Sequence, residues 1–188
     1  RELEELLEEA RRSSEEVKKI LKKLKKEVDE SSERLERIIE KLLRDAKRVA
    51  DEVRDILEKK REDRDVVRKV IDELRKVIEE IVKRLRDAVR ENEKSIRDVI
   101  RKAEKVVEEN ERVIEEIVKK AKRDLKDDEE RVKRVIDELR ELLRRSREEV
   151  KRVVEELKKE LERSKREVER VIDELRRLLE TVEKEIRD

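Results

Sequence analysis

Residues 144–180 read RRSREEVKRVVEELKKELERSKREVERVIDELRRLLE, and the apolar pattern of this stretch repeats after eighteen residues. Val150 returns as Val168, Val153 and Val154 as Val171 and Ile172, Leu157 as Leu175, Leu161 as Leu179, and the polar Ser146 returns as Ser164. Eighteen residues make five turns at about 3.6 residues per turn. A stripe with this period runs straight along a helix, without the left-handed drift of a heptad or the right-handed drift of an eleven-residue repeat. The stretch predicts a straight helix that packs lengthwise against other straight helices.

The same spacing organises the rest of the chain. From Leu3 to Leu57 apolar residues recur at helical intervals, with Ala10, Val28 and Ala46, or Val17, Leu35 and Val53, eighteen apart. The doublets Ser13, Ser14 and Ser31, Ser32 fill the skipped steps. This is one amphipathic helix, roughly 85 to 90 Å long, with a stripe broad enough to touch two neighbours. Residues 58–65, EKKREDRD, are all charged where apolar residues are due, which predicts a turn. Asp63 or Asp65 is a candidate N-cap for the next helix, and Lys59, Lys60 and Arg61 suit the negative end of the first. With no Gly available, either a non-Gly residue closes that helix in the left-handed region or the turn avoids that region.

A second stripe runs from Val66 to Leu125 and holds phase through Asn92 and Asn110, placing both asparagines on the apolar face. A second gap, KDDEER at 126–131, predicts another turn. There Asp127 as cap with Glu130 three residues on resembles a capping box, and Glu129 adds negative charge near the helix start. The third helix carries Val132 to Ile186, with RVIDELRELL at 134–143 returning as RVIDELRRLL at 170–179. The expected fold is all-α: a single-chain antiparallel up-down-up bundle of three long, straight helices, about 2–60, 64–125 and 129–187. It forms one domain over 1–188, with turns near 60–64 and 126–129.

Charged residues make up 61% of the 188 and hydrophobic ones 34%, a balance that reads as disordered until the periodicity is considered. Gly, Pro, Cys, Met, His, Phe, Tyr and Trp are all absent. The usual nucleophiles, soft metal ligands and stacking platforms are therefore missing together. Lys and Arg number 58 against 57 Asp and Glu, mixed along every segment, so no extended positive field draws nucleic acid or an anionic membrane. The longest uncharged runs are only a few residues, too short for a transmembrane helix or the apolar core of a signal peptide, so no localisation signal is legible and the chain is expected to be soluble. With no Cys there is no disulfide framework to indicate a compartment. The missing initiator Met suggests that a leader or tag has been trimmed from a chain made recombinantly in a cytoplasm.

If the chain folds back near residue 62 and again near 127 or 128, position i of the first helix faces about 124 minus i on the second. That position in turn faces about 255 minus itself on the third. The polar exceptions then coincide. Ser13 and Ser14 meet Asn110 and lie one residue from the level of Ser146, while Ser31 and Ser32 meet Asn92 and lie one residue from that of Ser164. Two coincidences from one pair of turns favour three antiparallel helices over a continuous one.

The eighteen-residue register, the restricted alphabet and the phrase VIDELR beginning at 70, 135 and 171 resemble computationally designed, parametrically built three-helix bundles with untwisted geometry and buried hydrogen-bond layers. The resemblance spans the whole chain, although its glycine-free turns depart from the commonest designed connections. It implies a hyperstable scaffold with no evolved substrate, no cofactor and no partner, and a monomer. Spectrin-type repeats resemble this chain only in helix count.

Asn92, Asn110 and the serines form a ligand or ion site on one reading, but neutral amides and hydroxyls supply no general base and only weak metal ligation. A buried polar layer that fixes register and pairing is the better reading. The run KKILKKLKK, Lys18 to Lys26, resembles a membrane-surface or groove-binding helix. Its apolar residues are already committed to the core, and Glu155, Glu156, Glu160 and Glu162 fall at its level on the third helix. Paired glutamates such as Glu155 and Glu156 bind divalent cations at most diffusely without His and with aliphatic inward positions. An enzyme needs a pocket with titratable groups, and an interaction protein of natural coiled-coil or spectrin-like spacer type needs an exposed apolar patch or a break in register. The expectation is a structural scaffold with no catalytic, cofactor or metal residues.

Overall fold

The computed structural model describes residues 2–124 and 128–187. They form three helices, α1 (Glu2–Lys59), α2 (Arg64–Asp124) and α3 (Glu129–Arg187), packed as a three-helix bundle with no strand among the described residues. On α1 sixteen residues from Leu3 to Leu57 are buried. That is fifteen steps over 54 residues, 3.6 per step, the repeat of the α-helix itself rather than the 3.5 of a left-handed supercoil. The seam alternates steps of three and four because only those offsets return a side chain to the same face. Ile38, Ile56 and Val113 lie on the margins of the stripes and are exposed.

The chain divides into two compact units, each taking one stretch of every helix: residues 1–29 with 95–159, and residues 30–94 with 160–188. In the first, Leu3, Leu6 and Ala10 pack with Ile114, Ile117 and Ala121 and with Ile136 and Leu139. In the second, Leu42, Ala46 and Ala50 pack with Leu74, Ile78 and Leu85 and with Val168, Ile172 and Leu175. Ala10, Ala46, Ala50, Ala103 and Ala121 are fully buried. These small side chains admit Leu and Ile from the facing helices, so large and small residues interleave.

Helix direction follows from which residues meet. Ser13 meets Asn110 and Ser31 meets Asn92, a constant sum of 123, so α1 and α2 run antiparallel. Arg147 meets Glu111, Lys165 meets Glu93 and Arg75 meets Glu183, a constant sum of 258, so α2 and α3 are antiparallel too. Arg11 with Glu138 and Lys25 with Glu156 lie 127 and 131 residues apart, so α1 and α3 run parallel. The first fold-back matches the expected 124 closely. Against the expected 255 the ion pairs give 258, a difference that long charged side chains span, as they also spread the α1–α3 offsets over four residues.

The first turn solves the missing-glycine problem by avoiding the left-handed region: among the described residues none has positive φ. The Lys60 N–H still donates to the Ile56 carbonyl at 2.9 Å, and the Asp63 N–H donates to the Lys60 carbonyl at 3.0 Å, closing a tight turn over 60–63. Asp63, not Asp65, is the N-cap of α2. Its carboxylate accepts from the Val66 N–H at 3.4 Å while its carbonyl accepts from the Val67 N–H at 3.0 Å. Asp128 repeats this on α3, accepting from the Arg131 N–H at 3.4 Å and the Val132 N–H at 3.0 Å. Leu125 and Asp127, expected as the last stripe residue and as a cap, lie outside the described residues. Arg61 also donates to the Glu185 carbonyl at 3.1 Å, serving one of the carbonyls left free at the end of α3.

Replacing Asp63 or Asp128 by Ala is expected to cost about 1 kcal/mol each, and the two losses are expected to add, since the caps share no partner. Denaturant melting of the two single variants and the double variant checks this. Unchanged midpoints would mean that water serves these helix ends equally well.

Candidate functional site

The only polar residues buried among the described ones are Ser14, Ser31, Asn92, Asn110, Ser146 and Ser164, and they fall at two levels, one in each compact unit. At the first level the Ser13 hydroxyl donates to Asn110 Oδ1 at 2.7 Å. At the second the Ser31 hydroxyl donates to Asn92 Oδ1 at 2.7 Å. The asparagines are 2% and 4% exposed, so each bond is made largely out of water, where a hydrogen bond is strongest and a missing one costs most.

The third helix joins each level without a side-chain hydrogen bond of its own. Ser146 and Ser164 are buried, and their places opposite the asparagines are marked by the next pair of residues along. Glu111 and Arg147 meet at 2.5 Å beside Asn110 and Ser146; Glu93 and Lys165 meet at 3.0 Å beside Asn92 and Ser164. Of the expected groupings, Ser13 with Asn110 and Ser31 with Asn92 are joined by hydrogen bonds, while Ser146 and Ser164 are buried beside the residues that pair with Glu111 and Glu93. Burial within each doublet differs: Ser14 and Ser31 are buried, whereas Ser13 and Ser32 are only partly so.

Within the protein the two ends of each asparagine amide differ. Only the carbonyl end is bonded. Asn110 Nδ2, Asn92 Nδ2, Ser14 Oγ and Ser32 Oγ are buried with no hydrogen-bond partner in the protein. Turning either amide by 180° merely exchanges the bonded end, because one serine reaches one end at a time. A helix holds the second serine of each doublet about 100° around from the first, and here only one hydroxyl of each doublet bonds the amide.

A third level, not anticipated from the sequence, shows what the polar groups replace. Eighteen residues on from the second level lie Val49, Ala50, Leu74 and Val182, of which Ala50, Leu74 and Val182 are fully buried. The adjacent pair, Arg75 with Glu183 at 2.5 Å, reverses the charges of the other two levels. The signal was present in the phrase VIDELR at 70, which puts Leu where the other levels put Asn.

The lysine-rich run of α1 behaves as a solvated face. Lys25 pairs with Glu156 at 2.9 Å and Lys18 with Glu15 at 3.8 Å, while Leu21 and Leu24 are buried. Among the described residues no group of three or more Asp or Glu side chains is arranged to hold a metal ion, and no helix is long and apolar enough to cross a membrane.

The charged groups most perturbed lie on the surface. The Lys25 ammonium holds the Glu156 carboxyl below its usual range, and Arg144 does the same for Glu141. Glu183 and Glu111 raise the guanidinium pKa values of Arg75 and Arg147. A depressed carboxyl stabilises the fold above the ordinary value of about 4.5, and that contribution is lost as the pH falls through its folded value. A raised Arg contributes at every pH below its ordinary, strongly basic range and loses the contribution only as the pH rises beyond it. With no His or Cys in the chain, the denaturant midpoint is expected to stay level between about pH 5 and 9 and to fall modestly below about 4.5. Melts across that range check this; a step inside the level region would reveal a buried ionisable group.

The aliphatic level supplies a template for the polar ones. Replacing Asn110 alone by Ala is expected to destabilise by roughly 1 to 2 kcal/mol, since it opens space and strands the Ser13 hydroxyl. Ser13→Val, Ser14→Ala, Asn110→Leu and Ser146→Val together copy the Val49, Ala50, Leu74 and Val182 level and are expected to raise stability by about 1 to 3 kcal/mol. Denaturant melting compares both with the parent, and a less stable fourfold variant would mean that the polar bonds outweigh apolar packing.

Compared with protein-family models, curated proteins and solved structures, the chain matches none.

Proposed function

We propose that the chain is a structural scaffold, a de novo designed, untwisted three-helix bundle that is monomeric and hyperstable and has no substrate, cofactor or binding partner of its own. The observation that carries this reading is the chemistry of the core. Every buried polar residue among those described is a Ser or Asn, and no ionisable side chain is buried with them. General acid–base, nucleophilic and metal-assisted chemistry each require a titratable group in a sheltered site. Surface clefts support the same reading. One is lined by Val132, Ile136 and surrounding charged side chains, another by Ile78, Val82 and Leu179, and neither includes an asparagine of the polar levels.

On this reading the polar levels fix register. A chain that repeats every eighteen residues can slide one helix past another by about 27 Å and still match apolar to apolar. Sliding α2 against α3 one way sets Leu74 against Ser164 and Arg75 against Lys165. Sliding it the other way sets Asn92 against Val182 and Glu93 against Glu183. Either slip sets a buried Ser or Asn against an aliphatic side chain and opposes like charges, and the levels are unequal enough that only one register avoids both. Stranding costs roughly 1 to 3 kcal/mol per group, more than an exposed ion pair supplies, so the amides do most of the selecting and the reversed charges assist.

The expected particle is a monomer of 23.0 kDa that unfolds as one domain over 1–188 in a single transition. With both polar levels replaced by the Val, Ala, Leu, Val set, the melting midpoint is expected to rise while slipped or associated species appear. Light scattering and amide spectra provide the readout. A parent of two or more chains would overturn the monomeric scaffold, and a fully aliphatic variant with one mass and one set of peaks would remove the register role.

A further inference from the structure

We propose that each polar level is an internal hydration site, in which at least one long-lived water accepts from the asparagine Nδ2 and donates to the second serine of the facing doublet. The argument starts from the four buried atoms that the protein leaves without partners. They are Asn110 Nδ2 with Ser14 Oγ at one level, and Asn92 Nδ2 with Ser32 Oγ at the other.

The pattern occurs twice at equivalent positions. In each level the first serine of the doublet bonds the amide oxygen, leaving the amide nitrogen and the second hydroxyl. These two leftovers are chemically complementary to one water. Nδ2 only donates and a hydroxyl oxygen accepts, whereas water accepts two bonds and donates two. Ser146 and Ser164, each 4% exposed and next to the residues that pair with Glu111 and Glu93, lie near the same levels, where a further hydroxyl brings the polar neighbours to the two to four that an internal water requires.

The space is argued from the chain's own third level. Where that level has Val49, Leu74 and Val182, the polar levels have Ser, Asn and Ser, each of smaller volume, and only Ala50 gives way to the slightly larger Ser. The same helices therefore carry less side-chain volume at the polar levels, beside groups that bind water. Nor do the serines turn back to their own backbone. Thr181 does so, its hydroxyl donating to the Arg177 carbonyl at 2.8 Å, but Ser14 and Ser32 do not.

Relaxation dispersion of water ¹⁷O counts long-lived internal waters and sees only water oxygen, so serine hydroxyl exchange cannot imitate the signal. The parent protein is compared with the variant carrying Ser13→Val, Ser14→Ala, Asn110→Leu and Ser146→Val. A third sample adds Ser31→Val, Ser32→Ala, Asn92→Leu and Ser164→Val. The expected count falls by at least one at each replacement, from two or more to none. A parent count of zero, or a count that survives both replacements, overturns the proposal. Should the eightfold variant associate, the parent decides alone: negative cross-relaxation between water and the Nδ2 protons of Asn92 and Asn110 is expected, and its absence from both side chains overturns the proposal.

Discussion

The fold rests on an apolar seam that keeps the phase of the α-helix. Leu, Ile, Val and Ala supply 39 buried hydrophobic residues among those described, and burying a Leu, Ile or Val contributes about 1.5 to 3 kcal/mol. The exposed ion pairs that join the helices, such as Arg11 with Glu138 and Lys47 with Glu174, contribute between nothing and about 1 kcal/mol each. Burial therefore decides that the helices pack, and the charged surface chiefly keeps the other faces in water. Because the seam on α1 advances by 3.6 residues per step, its side chains need no supercoil to stay opposed to their neighbours.

Such a seam is strong and indiscriminate. Its repeat makes many alignments of α1, α2 and α3 nearly equal in apolar contact, and on the proposed reading the choice among them falls to weaker but more selective interactions. The Ser13–Asn110 and Ser31–Asn92 bonds tie α1 to α2 at two levels, and the flanking Glu111–Arg147 and Glu93–Lys165 pairs tie α2 to α3 at the same levels. The reversed Arg75–Glu183 pair beside Leu74 makes the third level unlike the other two. The division of labour follows from physics: apolar attraction has no direction, whereas a buried amide with one hydroxyl partner is costly anywhere else.

The selective groups are neutral for a related reason. A carboxylate or ammonium at Asn110 would have to leave water entirely, at several kcal/mol even after relaxation, and no facing side chain carries the opposite charge inward. An amide and a hydroxyl provide direction at a much smaller desolvation cost. The turn makes a comparable economy. Asp63 ends the segment 60–63 and caps α2 with its own carboxylate, so neither glycine nor a left-handed residue is required.

Much of this was legible in the residues. Periodicity gave the three helices to within a residue or so of their ends, the all-charged run 58–65 located the first turn, and the phase of the stripe put Asn92 and Asn110 inside. These are properties of single helices, set by which residues share a face. The pairing of serine doublets with asparagines was also legible, because the α1–α2 turn is short and leaves the offset almost no freedom. The pairing of charges between α2 and α3 was not, because several partners lie within reach of each long charged side chain. Spacing along one helix carries no information about the axial position of the next, which is set by the path of the connecting turn. Nor did the sequence show that only one serine of each doublet reaches the amide, leaving Nδ2 and the second hydroxyl without a protein partner. The sequence by itself determined which faces are buried, since that follows from 3.6 residues per turn. Only the tertiary structure decided which atoms on those faces meet, since a hydrogen bond discriminates on a scale of tenths of an ångström and helical periodicity on a scale of turns.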